Sequence, residues 1–139
     1  MAERVERVSD LPPCKRHITT HDAEGKSVYT KSPPQQYMPV GESGGMARSY
    51  AVASVPAKLA DDADMKAYLG QDAVTSWYQP SIVTPNGANL IVVDLAPGAA
   101  STMHQTVSID FSICTIGEIE HELDSGETVL LKPGVRPCL

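Results

Sequence analysis

The sequence predicts an all-β domain, a sandwich or small barrel of short strands, and three observations carry that reading. Eleven prolines and ten glycines are spread through 139 residues, enough to break the chain into short segments. Turn signals with glycine recur, at Asn86-Gly87 and again at Asp124-Ser125-Gly126. Between such turns apolar and polar residues alternate. The alternation is strictest where Val107, Ile109, Phe111 and Ile113 fall on one face and Thr106, Ser108, Asp110, Ser112 and Cys114 on the other.

Each element follows in order. Residues 16–31, "RHITTHDAEGKSVYTK", place β-prone residues on both sides of a turn at Asp22 and Gly25, which predicts a hairpin. Residues 32–45 are rich in proline, glycine and serine without periodicity and read as a loop. "MARSYAVASVPA" then reads as a strand. "DDADMKAYLGQDA" suits one or two helical turns, capped by an aspartate and ended near Gly70, lying outside the sheet because its apolar positions are too few for a long helix. After Asn86-Gly87 a strand runs to Pro97-Gly98, the alternating strand follows over 107–116, and "GEIEHELDSGETVLLKPG" reads as a second hairpin. No repeat or low-complexity tract interrupts this order.

Composition narrows the partners. A chain of this length forms one core by default. The net charge of -6, with no basic run, lacks the phosphate-neutralising patch that nucleic acid requires. No window approaches the roughly 18 apolar residues of a membrane span, and the N-terminus has no apolar leader segment, so no membrane partner and a cytoplasmic location are expected. Cys14, Cys114 and Cys138 are odd in number and widely spaced, which predicts reduced thiols and neither a disulfide framework nor a zinc ribbon.

One spacing stands out. Pro97-Gly98 is followed after five residues by His104, then Thr106, Asp110 and Gly117, while Gly134 follows Lys132-Pro133 after the second hairpin. This order resembles the first motif of the cupin family and the glycine that opens the second. "MHQTVSID" and the hairpin at "RHITTHDAEGKSVY" are similar to a subgroup of short single-domain cupins, and the resemblance runs from about residue 16 to 134. It implies a double-stranded β-helix or jelly-roll barrel with an N-terminal hairpin arm, incomplete at the C-terminus. Residues 1–15 are then an extension and 16–139 a single cupin-like domain, its second motif truncated after Gly134, where "GVRPCL" replaces an apolar strand and a second-motif histidine. The resemblance further implies a homodimer and a small-molecule substrate. Some short fungal cupins of this kind sit in polyketide-type secondary-metabolite pathways and are described as oxidoreductases, which is the activity the resemblance implies.

In the cupin reading His104 and Asp110 are the metal ligands and the catalytic residues, and the metal is a single divalent iron, manganese, nickel or zinc. Such a site takes at least three protein ligands, and here Thr106, a poor ligand, stands where the family has its second histidine. The polar row Thr106, Ser108 and Ser112 would contact substrate at the barrel mouth, with Trp77 supplying an apolar wall. Plainer readings stand beside these: His104 as a pocket or structural histidine, the row as the wet face of an amphipathic strand, and Trp77 as the side chain that packs the long insertion. Tyr50 and Tyr78 are further candidates for a cavity wall. His121 reads as a core or interface histidine, His17 and His21 as exposed, and Cys114 as a small buried hydrophobe. The acidic set at 118–127 reads as a solvated hairpin face. Three functions follow: a cupin-type oxidoreductase, a metal-independent dehydratase, isomerase or cyclase with Asp110 as base and His104 as acid, or a non-catalytic small-molecule binder.

Overall fold

A computed structural model of the chain describes residues 9–12, 14–41, 44–78 and 81–134. The ending 135–139, with Cys138, and residues 1–8 of the expected extension lie outside the described residues. The chain divides into two compact units, residues 1–100 and 101–139. Strand is the dominant regular structure, all of it antiparallel among the described residues, with one short α-helix.

The first unit opens with the expected hairpin, β1 (Ile18–His21) paired to β2 (Ser27–Thr30). Its turn is built as the sequence suggests. The Asp22 carboxylate accepts the Glu24 N–H at 3.1 Å and the Lys26 N–H at 2.8 Å, and Gly25 takes φ 78°, a region that favours glycine. A three-stranded sheet follows, with β4 (Gly44–Val52) between β3 (Met38–Val40) and β5 (Ala88–Leu95).

The stretch 32–45, read from sequence as loop, contributes β3 and the start of β4. Pro39 is tolerated because β3 is an edge strand, where a missing N–H costs no central ladder bond. Gly44 is required by close approach: a Cβ there would sit 2.6 Å from the Val40 carbonyl oxygen. Both residues are loop signals locally and strand residues in context.

The centre of the unit is β4, buried over most of its length. Met46 and Arg48 lie on one face opposite Val93 and Ile91, while Ala47 lies on the other opposite Val92. A bulge between Arg48 and Tyr50 inserts Ser49 and reverses this parity, so Tyr50 pairs with Leu90 and Ala51 with Asn89. One strand thereby sends Arg48 to the Asn89 side and Tyr50 to the other. A single 3-10 turn (Ala60–Asp62) leads into α1 (Ala63–Leu69), which ends at Gly70 as expected and packs Met65 and Tyr68 against β4. The aspartate cap takes a different form. Asp62 occupies the N-cap position without a side-chain bond to the helix, and its carboxylate accepts the Thr20 hydroxyl at 2.8 Å.

In the second unit the hairpin is again as expected, β6 (Ile119–Glu122) paired to β7 (Thr128–Leu131) around a turn with Gly126 at φ 84°. Glu118 and Lys132 close its open end with an ion pair of 2.8 Å. The alternating stretch 107–116 is not a strand: Val107, Ile109, Phe111 and Ile113 are 78% to 94% exposed. Alternation gives a segment two faces, but a strand forms only by pairing, and no partner strand lies beside this one among the described residues. His121 is exposed and not in a core, because the short β6–β7 ribbon leaves both faces open to solvent. No helix among the described residues is long and apolar enough to cross a membrane.

Candidate functional site

The motif residues of the second unit sit on an exposed connection between Gly98, in the left-handed region at φ 76°, and Gly117, at φ 77°. His104 is oriented locally: its Nδ1 lies 2.7 Å from the Thr102 carbonyl oxygen. A carbonyl brings no proton to such a bond, so Nδ1–H donates and Nε2 is left as the ring nitrogen open to a partner. Asp110 is held by Ser108, whose hydroxyl lies 3.1 and 3.2 Å from the two carboxylate oxygens. Ser108 and Asp110 are thus joined, while Thr106 and Ser112 are exposed on the same stretch. Cys114 is buried with a free thiol directed at the Ile116 and Gly117 carbonyls. Among the described residues no three His, Cys, Asp or Glu side chains gather as a metal site would require. Trp77 belongs to the first unit, where it is half-buried, meets Tyr78 edge-on at 5.7 Å and donates its backbone N–H to the Tyr68 carbonyl.

The first unit holds a second group of polar side chains that the motif does not include. Tyr68, fully buried on α1, donates its hydroxyl to the Ser49 carbonyl at 3.0 Å, and its ring lies 4.7 Å from that of Tyr50. Arg16 reaches in from the N-terminal arm and stacks on Tyr68 at 5.5 Å. Its donors go to the Ser32 hydroxyl, the Arg48, Ser49 and Pro33 carbonyls and the Tyr68 hydroxyl. Beside them Tyr50 donates to Asp64 at 2.6 Å. Burial first, then the bond to Asp64 and its charge, push the Tyr50 phenol far above its ordinary value, with Tyr68 and Asp62 adding to the effect. Burial also raises the Tyr68 phenol, against the opposing pull of Arg16 and Arg48. Both phenols therefore remain donors.

Arg48 is 1% exposed, and among the described residues its guanidinium donates to neutral partners. It donates to the Asn89 amide oxygen, the Val74, Ser76 and Ser81 carbonyls and the Ser81 hydroxyl, at 2.8 to 3.1 Å. Burial lowers its pKa from the ordinary value, and Tyr68 offsets part of that effect. The fork nails the long insertion between α1 and β5 to the sheet, a role that no sequence spacing reveals. Tyr50 was legible as a candidate cavity wall, whereas its partner Asp64 carried only a helix-start signal.

No family model matches the chain. Individual relatives match it over most of its length. Phomopsin biosynthesis cluster protein D of Diaporthe leptostromiformis is 39% identical over 122 residues, 86% of this chain and 62% of that protein. Oryzines biosynthesis cluster protein J of Aspergillus oryzae is 35% identical over 127 residues, 90% of this chain and 69% of that protein. The cupin-domain-containing oxidoreductase srdB of Neurospora crassa is 32% identical over 121 residues, 86% of this chain and 58% of that protein. The chain therefore spans less than two-thirds of the length of the phomopsin and srdB relatives.

Proposed function

This chain belongs to the cupin family, in the branch represented in fungal secondary-metabolite clusters, and from that premise we propose that it is an oxidoreductase acting on a small-molecule biosynthetic intermediate. Its antiparallel, strand-dominated structure accords with the family's jelly-roll fold. The observation that carries the functional reading is the match to relatives named for biosynthesis clusters and to four named cupin-domain-containing oxidoreductases. Polyketide-type intermediates are the first substrates to try, and a homodimer is the expected assembly.

Within this reading the chain's own residues handle the proton. His104, whose Nδ1–H is held by the Thr102 carbonyl, presents Nε2 to accept a proton from an O–H or C–H group of the substrate. Asp110, steadied by Ser108, supplies a second acceptor and negative charge. A divalent metal would bring redox or Lewis-acid chemistry, and His104 Nε2 with the Asp110 carboxylate are the donors this chain offers it. Among the described residues these two donors and Thr106 fall short of the three ligands a mononuclear site takes. The oriented His104 ring and the Ser108–Asp110 bond also support a second reading, a lyase or isomerase using the same two groups as acid and base.

Metabolite profiling of the source organism with and without the gene separates these readings. An oxidoreductase predicts accumulation of an intermediate that differs from the lost product by two hydrogens or one oxygen. Loss of water or an unchanged mass supports the acid–base enzyme instead. An unchanged profile contradicts both.

A further inference from the structure

We propose that an open cleft in the first unit, beside Tyr50, binds a small apolar molecule carrying a primary ammonium group, with the ammonium at Asp64. The cleft has a volume of about 340 Å³, within the range of roughly 300–1,000 Å³ common for small-molecule sites. Ile18, the Tyr50 ring and Leu90 give it apolar walls from three different elements, and Asp64 stands at one side from α1.

Arg16, His17, Thr19, Ser49, Tyr50 and Asp64 are the polar groups around the cleft, and Asp64 is its one carboxylate. Arg16 lines it, but its guanidinium is directed to Ser32, to Tyr68 and to backbone carbonyls. The Ser49 hydroxyl accepts from the Gln35 amide at 2.7 Å, and the Ser49 carbonyl accepts from Arg16 and Tyr68. Tyr50 spends its proton on one oxygen of Asp64. The other oxygen of that carboxylate faces no donor, and no cation pairs with Asp64 among the described residues. A half-buried carboxylate flanked by an aromatic ring and aliphatic side chains is complemented by an ammonium, which gains charge pairing with Asp64 and attraction to the Tyr50 face. A neutral hydroxyl leaves the charge unmatched, and an anion is repelled.

The test is an amide NMR titration of the full chain with three near-isosteric probes: tyramine, 4-ethylphenol and 4-hydroxyphenylacetate. Tyramine is expected to shift the amides of Ile18, Tyr50, Asp64 and Leu90 saturably and to bind at least fivefold more tightly than either analogue. Asp64→Asn still accepts the Tyr50 proton, so the fold is kept, and it is expected to weaken tyramine at least fivefold. Leu90→Lys, at an exposed strand position, leaves the Tyr50–Asp64 bond alone and is expected to abolish tyramine binding by supplying a competing cation. The proposal is overturned if the folded wild-type protein gives no saturable tyramine shift at these amides. Discrimination below fivefold, or tyramine binding unchanged in either variant, overturns it equally.

Discussion

Arg48 is the residue on which the packing of the first unit most depends. Its donors satisfy three carbonyls, an amide and a hydroxyl from the insertion and β5, so removing it takes the donor from the buried Ser76 carbonyl and from four part-buried bonds at once. Arg48→Met is expected to lower stability by about 3 kcal/mol or more, read as a shift of the urea midpoint. Arg48→Lys should recover little of this, since an ammonium lacks the planar fork. Tyr50 gives a pH signature. Its phenol is raised in the folded state, so its stabilising contribution is complete below about pH 10, the unfolded value, and is lost as the pH rises through the folded value. Between pH 9 and 11 the wild-type urea midpoint should therefore fall more steeply than that of Tyr50→Phe. Neither role was readable beforehand. A lone arginine in a strand reads as a surface residue, and only tertiary contacts show it to be buried and bonded through its whole guanidinium.

The hairpins were the most legible elements, because Asp22-to-Gly25 and Asp124-to-Gly126 encode their turns within five residues and need no distant partner. The sheet was less so. β3 and the start of β4 hide behind Pro39 and Gly44, which are locally loop-like and accepted only because one lies on an edge and the other beneath a carbonyl. The opposite error fell on 107–116, where strict alternation is present and pairing is not. At the far end of β4, Gly87 permits a still closer contact: a Cβ there would lie 1.9 Å from the Val52 carbonyl oxygen. Gly87→Ala should open the Val52–Ala88 end of the ladder and cost about 3 kcal/mol, the upper part of the usual range for overpacking. Thermal unfolding, with amide exchange at Val52 and Ala88, measures both effects.

For the whole molecule, the family was legible from the spacing around His104 and Asp110, and the relatives bear it out across most of the chain. The polar side of that motif leaves its mark in the fixed ring of His104 and the Ser108–Asp110 bond. Its apolar side, Val107, Ile109, Phe111 and Ile113, is exposed in the single chain, the kind of surface that the proposed homodimer would cover. Light scattering on the purified chain should return twice the chain mass of 14.9 kDa if the expected homodimer forms, and the single mass would count against it.

His104 is proposed to serve a small-molecule transformation in secondary metabolism. Complementation of a strain lacking the gene tests it most directly, with wild type and His104→Gln expressed at equal levels and the missing metabolite quantified. Wild type should restore the product and His104→Gln should leave it below a tenth of that level, since loss of a general acid–base group typically costs about a hundredfold or more. Full restoration by His104→Gln would contradict the account.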